Sequence, residues 1–170
     1  MNTRNDKQTC FLQLIETHKG ILYKICRIYQ DKKEDQQDLL QEMILQLWRS
    51  YDSFRGESQF SSWMYRVAFN TAISYFRKEK QHYTSSLDPY HDLPDELRTV
   101  KEKEEQLAVF YKAVQQLNKV EKALIFLYMQ GQSGDEIAGI LGISSVNVRV
   151  RLNRTKEKIK YIIKTLGYEF

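Results

Sequence analysis

The stretch SGDEIAGILGISSVNVRVRLNRTKEKIK, residues 133–160, decides the fold of the C-terminal part of the chain. Ser133 and Glu136 form an S-x-x-E capping box, which satisfies free backbone N–H groups and starts a short helix. Ala138 is small where a second helix must cross closely, and Gly142 can adopt the positive φ that ends the first helix. This pattern predicts a helix-turn-helix.

The second helix of this motif has one apolar and one basic face. Ser144 or Ser145 can cap it. Its apolar stripe has helical spacing and comprises Val148, Leu152, Thr155, Ile159, Ile162 and Ile163. Between residues 144 and 164, seven Lys or Arg stand against Glu157 alone, a local charge of +6 compared with +4 for the whole chain. The basic charge is therefore concentrated where a DNA-reading helix needs it.

A basic helix is often only a solvated face, and helical hairpins with glycine turns are common in bundles. Capping box, small residues and basic face together favour binding to duplex DNA. Because the N-terminal part of such a helix enters the major groove, we expect base contacts from Arg149, Val150, Asn153 and Arg154. We expect the other DNA-binding residues to hold phosphates or to lie at the start of the helix: Asn147, Arg151, Lys156, Lys158, Ser144 and Ser145.

Composition excludes several classes of protein. The chain has 170 residues, 42% of them hydrophobic, which is enough for one domain or two small ones. No apolar run approaches the roughly 18 residues of a membrane span, and the N-terminus has no signal-peptide core. We therefore expect a cytoplasmic protein. Cys10 and Cys26 have no metal-site or disulfide spacing, so we interpret both as plain thiols.

Both prolines fall in one segment, residues 81–100, which is rich in Ser, Asp and Pro and has no apolar period. On either side the period is helical. We predict helices near residues 8–30, 34–52, 60–80, 102–117, 119–130, 134–141 and 145–166. The fold class is all-α, with two small helical domains (1–80 and 102–170) joined by a flexible linker (81–101), the C-terminal domain containing the helix-turn-helix.

Residues 54–80 interleave aromatic and basic side chains. Aromatic rings stack on unpaired bases, and neighbouring cations hold the nucleic-acid backbone. One face of the predicted helix carries the candidate contacts: Trp63, Arg66, Asn70 and Arg77. The opposite face can pack inward through Met64, Val67, Ala68 and Ala72. Individually, Tyr65, Phe69 and Phe76 are better interpreted as core residues.

The preceding helix, within residues 34–54, is amphipathic, and Leu39, Met43, Ile44 and Leu47 face a core. Asp38 and Glu42 lie beside this stripe, as do Gln41 and Leu45. Two carboxylates four residues apart could serve acid/base chemistry or a metal. No histidine, nucleophile or glycine-rich phosphate loop accompanies them. We therefore predict no catalytic site, no metal, no cofactor and no enzymatic activity.

The two motif blocks, DLLQEMILQLWRSYDSFRGESQFSSWMYRVAFNTAISYFRK (38–78) and the quoted helix-turn-helix stretch, occur in this order. Together they resemble the extracytoplasmic-function (ECF) group of bacterial sigma factors, in the sigma-70 family. The resemblance runs from about Phe11 to Ile163. It implies an alternative sigma factor with two helical domains, equivalent to regions 2 and 4 of larger sigma factors. Such proteins bind core RNA polymerase, recognise the minus-ten and minus-thirty-five promoter elements and help melt DNA.

The resemblance also implies roles for individual residues. In such proteins, the helix that matches Asp38, Gln41, Glu42 and Leu45 docks on the clamp helices of the largest polymerase subunit. The loop and helix that match the aromatic and basic segment take up a flipped base of the minus-ten element and hold the non-template strand. In this chain, the candidate residues for binding the minus-ten element are Phe54, Arg55, Gln59, Phe60, Ser61, Trp63, Arg66, Asn70 and Arg77. The helix from Ser145 matches the reader of the minus-thirty-five element.

The implied partners are core RNA polymerase, through these clamp helices and the flap of the second-largest subunit, and promoter DNA, both duplex and single-stranded. The linker would run towards the RNA exit channel. Many members also bind an anti-sigma factor, whose surface the sequence does not identify.

The sequence departs from the family pattern at two places that concern the fold. The family usually has a proline in the stretch that here reads LNKVEKA (117–123), and Gly134 replaces a larger residue.

Two other classes remain open at this point. A helix-turn-helix repressor would bind palindromic DNA as a dimer without polymerase. A nucleic-acid enzyme is weakly supported, because the three histidines have no metal-ligand spacing.

Overall fold

The computed structural model describes residues 3–79 and 98–168, and the side chains of residues 6–75 and 105–168. The described part is built from seven α-helices and one short 3₁₀ turn. The helices are α1 (Thr3–Tyr29), α2 (Lys33–Ser50), α3 (Phe60–Glu79), α4 (Arg98–Gln115), α5 (Lys119–Met129), α6 (Gly134–Leu141) and α7 (Ser145–Thr165). The 3₁₀ turn, Tyr51–Ser53, extends α2. The predicted all-α class is confirmed, whereas most of the predicted linker (81–97) lies outside the described residues.

The predicted order of helices matches the structure, and the main differences are at two N-termini. α1 begins at Thr3 rather than near residue 8, and α4 begins at Arg98 rather than near residue 102. Val100 is the single apolar residue in these added segments, so neither has an apolar period that could predict a helix. Neither contains a glycine or proline, so nothing in their backbone chemistry stops a helix.

The first three helices form an N-terminal group, residues 3–79, in which each helix buries one apolar stripe. In α2, Leu39, Met43 and Leu47 are fully buried, as the amphipathic pattern predicted. They pack with Leu22 and Ile25 of α1, and the buried stripe of α3 completes the core. Burying each such side chain stabilises the fold by about 1.5–3 kcal/mol relative to leaving it in water.

The last four helices form a C-terminal group, residues 98–168. Asn118 caps α5: its side chain accepts hydrogen bonds from the backbone N–H groups of Val120 (3.1 Å) and Glu121 (2.9 Å). The carboxylate of Glu121 accepts in turn from the Asn118 N–H at 2.9 Å. This capping box starts the helix without a proline, although the resemblance led us to expect one in this stretch.

The two groups pack against each other through α1 and α3 on one side and α4, α5 and α6 on the other. We call this contact the inter-group interface. The ring of Phe126 lies 5.6 Å from that of Phe69 and 6.1 Å from that of Tyr65, in edge-on geometry. The hydroxyl of Tyr29 donates a hydrogen bond of 2.6 Å to the carbonyl oxygen of Lys119. One continuous hydrophobic core therefore runs through both groups.

Candidate nucleic-acid interface

The helix-turn-helix begins with the predicted capping box. The Glu136 N–H donates to the Ser133 hydroxyl at 3.2 Å, and the Ser133 N–H donates to the Glu136 carboxylate at 2.7 Å. These bonds hold the pKa of Glu136 below its ordinary value, because they favour the charged carboxylate. α6 ends at Gly142, whose φ of 67° lies in the left-handed region. Ala138 and Val148, at the crossing of the two helices, are both buried.

α7 is capped by the first of the two candidate serines. The Ser144 hydroxyl accepts from the backbone N–H of Asn147 at 3.2 Å. The Ser145 hydroxyl instead donates to the Asp135 carboxylate at 2.5 Å, which ties the start of α7 to the start of α6. The start of α7 is therefore bonded both to its own first turn and to α6.

Burial along α7 determines which face is available to DNA. Val148, Thr155, Ile159 and Ile162 point into the core. Every residue that we expected to contact bases is exposed on the opposite side: Arg149, Val150, Asn153 and Arg154. The structure therefore gathers these four side chains on one solvent-facing surface.

The residues expected to hold phosphates are partly engaged within the protein. The Arg151 Nε donates to the Asn147 side-chain oxygen at 2.8 Å. The ammonium of Lys156 lies 3.6 Å from the ring centroid of Tyr128, and that of Lys158 pairs with Glu121 at 2.8 Å. Cation–π contacts and exposed ion pairs of this kind are weak, at about 1 kcal/mol or less. They leave these cations able to turn towards a phosphate.

An aromatic cluster supports the loop between α2 and α3. The ring of Phe54 lies 5.2 Å from Trp63 and 5.5 Å from Phe60. Phe60, proposed from the sequence as a DNA contact, is only 8% exposed and also packs on His18. Because its ring is buried, it supports the loop here and does not offer a face to a base. Phe54 and Trp63 are half-buried.

The loop encloses a cleft of about 390 Å³ that is lined by Phe54, Arg55, Trp63 and Arg66, together with Asp52, Ser53, Glu57 and Ser58. Arg55 and Gln59 are exposed, and Ser61 is half-buried. The cleft combines an aromatic wall with two guanidinium groups and with the carboxylates of Asp52 and Glu57. The aromatic rings suit stacking on a base, and the guanidinium groups suit a phosphate.

The outer face of α3 carries the remaining candidates. Arg66 and Asn70 are exposed, as the helical spacing predicted, whereas the side chain of Arg77 lies outside the described residues. Met64, Ala68 and Ala72 on the opposite face are fully buried. The guanidinium of Arg66 donates a hydrogen bond of 2.7 Å to the carbonyl oxygen of Gly139 in α6.

On α2, the four candidates for protein contact form a surface beside the buried stripe. Asp38, Gln41 and Leu45 are exposed, and Leu45 leaves 40% of its area in water. Glu42 is half-buried and accepts a hydrogen bond of 2.8 Å from the side chain of Gln46. An exposed leucine beside carboxylates suits docking on an apolar and basic protein surface.

Sequence reasoning missed the polar residues of the inter-group interface. Lys122 is buried at 8% exposure, and its ammonium donates to the Gln115 side-chain oxygen at 2.7 Å. The signal in the sequence was a lysine directly before the apolar run ALIFLYM.

The described residues contain no cluster of potential metal ligands. None of the described helices is long and apolar enough to span a membrane.

Two family models match the chain: sigma-70 region 2 over residues 14–82 and sigma-70 region 4 over residues 107–159. The ECF RNA polymerase sigma factor SigM of Mycobacterium tuberculosis is 30% identical over 159 residues, which cover 93% of this chain and 78% of the relative. The ECF RNA polymerase sigma factor SigW of Bacillus subtilis is 25% identical over 173 residues, with coverage of 94% and 91%.

Two solved structures share the fold. The sigma factor RpoE of Bartonella quintana, in complex with the anti-sigma factor NepR, aligns with a TM-score of 0.67 and 20% identity, covering 94% of this chain and 97% of that one. CnrH, in complex with the cytosolic domain of CnrY, aligns with a TM-score of 0.65 and 21% identity, covering 93% and 90%.

Proposed function

Because the chain belongs to the ECF group of RNA polymerase sigma factors, we propose that it binds core RNA polymerase, recognises both promoter elements and helps melt the DNA between them. The observation that carries this proposal is the pairing of two surfaces in one chain. α7 presents exposed arginines suited to duplex DNA, and the loop before α3 forms an aromatic cleft suited to a single strand.

In this proposal α7 reads the minus-thirty-five element as duplex. Arg149, Val150, Asn153 and Arg154 reach base edges in the major groove, and Arg151, Lys156 and Lys158 hold phosphates beside them. Phosphate contacts fix the register of the helix, whereas the base contacts supply specificity. Ser144, Ser145 and Asn147 place the N-terminus of the helix, with its partial positive charge, towards the DNA backbone.

The minus-ten element is held as a single strand. A base leaves the stack and enters the cleft beside Phe54 and Trp63, while Arg55, Arg66 and Arg77 bind the phosphates of the same strand. The side chains of Gln59, Ser61 and Asn70 add hydrogen bonds at the rim. Unstacking costs a few kcal/mol per base, and stacking on aromatic rings returns about 1–3 kcal/mol per base. The unpaired strand is thus held in its single-stranded state, and the promoter stays melted.

Polymerase binding uses a third surface. Asp38, Gln41, Glu42 and Leu45 on α2 dock on the clamp helices of the largest subunit, and the C-terminal group rests on the flap of the second-largest subunit. We propose that residues 1–80 and 102–170 act as separate domains, joined by residues 81–101. Two weak DNA contacts on one tethered chain raise each other's effective concentration on a promoter.

In this mechanism the protein itself catalyses no reaction, because the core enzyme carries out RNA synthesis. We place it in the cytoplasm, where core polymerase and promoter DNA are found. The solved structures of RpoE and CnrH are of complexes, with the anti-sigma factor NepR and with a domain of CnrY. We propose that an anti-sigma factor also regulates this protein.

The proposal is tested by binding to purified core RNA polymerase. We expect the protein to co-elute with the core enzyme in gel filtration, and Leu45→Ala together with Asp38→Asn to weaken this binding. A matched control is Gln37→Ala, an exposed residue next to the docking surface. If the protein did not bind the core enzyme and instead bound palindromic duplex DNA as a dimer, it would be better described as a helix-turn-helix repressor.

A further inference from the structure

Two exposed valines lie on the outer face of α7, beside the residues proposed to contact bases. Val146 leaves 73% of its area in water, the largest exposed fraction of any large hydrophobic residue in the described part of the chain, and Val150 leaves 42%. They are four residues apart and therefore share one face of the helix. Arg149 and Asn153 are exposed on the same face. We call Val146 and Val150 the valine pair.

Neither packing nor helix formation accounts for valine at these two positions. The core of the helix-turn-helix is filled from the opposite face of α7, by Val148 and Thr155 among others. Valine also favours a helix less than alanine, lysine or glutamine does, because its branched side chain loses rotamer freedom. Single exposed apolar residues are common on protein surfaces. Here two of them lie on adjacent turns, with Cβ atoms about 5–6 Å apart, and form one apolar patch.

The start of α7 holds Val146 in a defined position. The hydroxyl of Ser144 accepts a hydrogen bond of 3.2 Å from the backbone N–H of Asn147, and the hydroxyl of Ser145 donates one of 2.5 Å to the Asp135 carboxylate in α6. Valine in a helix has one strongly preferred rotamer, so a contact with this side chain costs little conformational entropy. The valine pair is therefore preorganised for binding.

The charges around the valine pair point to duplex DNA as its partner. Arg149, Arg151 and Arg154 surround the pair, and residues 144–156 contain no acidic side chain. An apolar protein surface would leave these cations unpaired, whereas phosphates on both sides of a DNA groove neutralise them. The major groove also offers one apolar group on its bases, the 5-methyl group of thymine. The methyl groups of valine match that group in chemistry.

We propose that Val146 and Val150 contact the 5-methyl groups of thymines in the minus-thirty-five element, which makes Val146 a further specificity-determining residue. The inference rests on the proposed function, because it names the base chemistry that α7 recognises. Four residues of a helix rise about 6 Å, which is close to two base-pair steps of about 3.4 Å each. The two thymines, on either strand, therefore lie within about two steps of each other.

Replacing thymine by uracil tests the contact, because uracil lacks only the 5-methyl group. The starting point is a promoter mapped by transcription with core polymerase. Each thymine of its minus-thirty-five element, on either strand, is replaced singly by deoxyuridine, and the dissociation constant of the holoenzyme is measured for each duplex. Losing one buried methyl group corresponds to about four-fold weaker binding. We expect this loss at two thymines of the element.

Two variants assign the sensitive thymines to individual residues. Val146→Ala should abolish the effect of uracil at one sensitive position, and Val150→Ala should abolish it at the other. Both variants should fold, because both sites are exposed and alanine favours a helix more than valine does. The matched control is Tyr161→Ala, at another exposed apolar residue of α7 (70%). Tyr161 lies about 16 Å beyond Val150 along the helix, so its removal should leave the uracil effects unchanged.

Equal binding of thymine and uracil promoters by the wild-type holoenzyme would overturn the inference and leave the sigma-factor function intact. A minus-thirty-five element without thymine on either strand would also overturn it, as would uracil effects that are all unchanged in Val146→Ala. If Val146→Ala instead weakened binding to core polymerase in the absence of DNA, the valine pair would be a protein contact and the inference would be wrong.

Failure of the wild-type protein to bind core polymerase would defeat the proposed function, and the inference can still be tested separately. The uracil substitutions would then be made in duplexes that the full-length protein alone selects from random-sequence DNA. Weaker binding of the uracil duplexes that disappears in Val146→Ala would support the thymine contact. Failure to select any duplex would overturn it.

Discussion

The guanidinium of Arg66 donates a 2.7 Å hydrogen bond to the carbonyl oxygen of Gly139, a residue 73 positions further along the chain. Arg66 also lines the aromatic cleft, together with Phe54 and Trp63. One cation therefore belongs both to the contact between the two helix groups and to the surface proposed for single-stranded DNA. A phosphate is a stronger acceptor than a neutral carbonyl, so DNA can compete for this side chain.

The Arg154→Ala variant should weaken recognition of the minus-thirty-five element. If its exposed guanidinium contacts a base through two hydrogen bonds, the loss should be about 1–3 kcal/mol. Gel-shift titration of the holoenzyme on upstream fork DNA measures this change. Arg154→Lys serves as control, because it keeps the charge without the planar guanidinium. It should restore only the part of the binding free energy that does not depend on the DNA sequence. Equal binding by wild type and Arg154→Ala would exclude a base contact.

Trp63→Ala should impair promoter opening more than duplex binding. The indole forms one wall of the cleft, and stacking of a base on an aromatic ring contributes about 1–3 kcal/mol. Permanganate reactivity of unpaired thymines measures opening, and gel shift at low temperature measures duplex binding. Trp63→Phe retains a stacking surface and should recover part of the opening. Parallel loss of both steps in Trp63→Ala would count against separate duplex and single-strand surfaces.

Ser133→Ala should destabilise the helix-turn-helix by about 1 kcal/mol, because it removes the hydroxyl that caps α6. Urea unfolding followed by circular dichroism gives the change in free energy. Ser133→Asp also accepts the hydrogen bond from the Glu136 N–H and should stay close to wild type. If Ser133→Ala and Ser133→Asp were equally stable, the capping bond would contribute nothing measurable.

Glu136 should make stability depend on pH in the acid range. Its folded-state pKa is below the ordinary value of 4.5, so the unfolded chain binds more protons in this window. The resulting stabilisation is present above pH 4.5 and is lost as the pH falls through the folded-state pKa. Urea midpoints of wild type and Glu136→Gln should therefore differ more at pH 7 than at pH 3. A difference that did not change with pH would show that the charge is irrelevant.

Local sequence chemistry predicted the helix-turn-helix in detail. Ser133, Glu136 and Gly142 act through bonds and dihedral angles within a few residues, so their roles can be read from spacing alone. The exposed face of α7 followed from the period of its buried residues, Val148 and Ile159 among them. Such features need no knowledge of the rest of the fold.

Long-range packing was not predictable in the same way. Phe60 belongs to a sequence rich in aromatic and basic residues, and only the three-dimensional cluster shows that its ring is covered. The contact of Phe126 with Phe69 joins residues from two separate helix groups, and Lys122 is buried next to the ring of Tyr29 in α1. The periodicity of a single sequence reveals which face of a helix is buried, but it does not reveal which helices of separate groups are in contact.

Run-off transcription tests the sigma-factor function most directly. Purified core RNA polymerase is incubated with fragmented genomic DNA of the source bacterium, with and without the protein, and the 5′ ends of the RNA are mapped. We predict discrete new start sites that require the protein, that share upstream elements at minus ten and minus thirty-five, and that weaken with both Arg154→Ala and Trp63→Ala. Start sites identical with and without the protein would contradict a role in promoter selection.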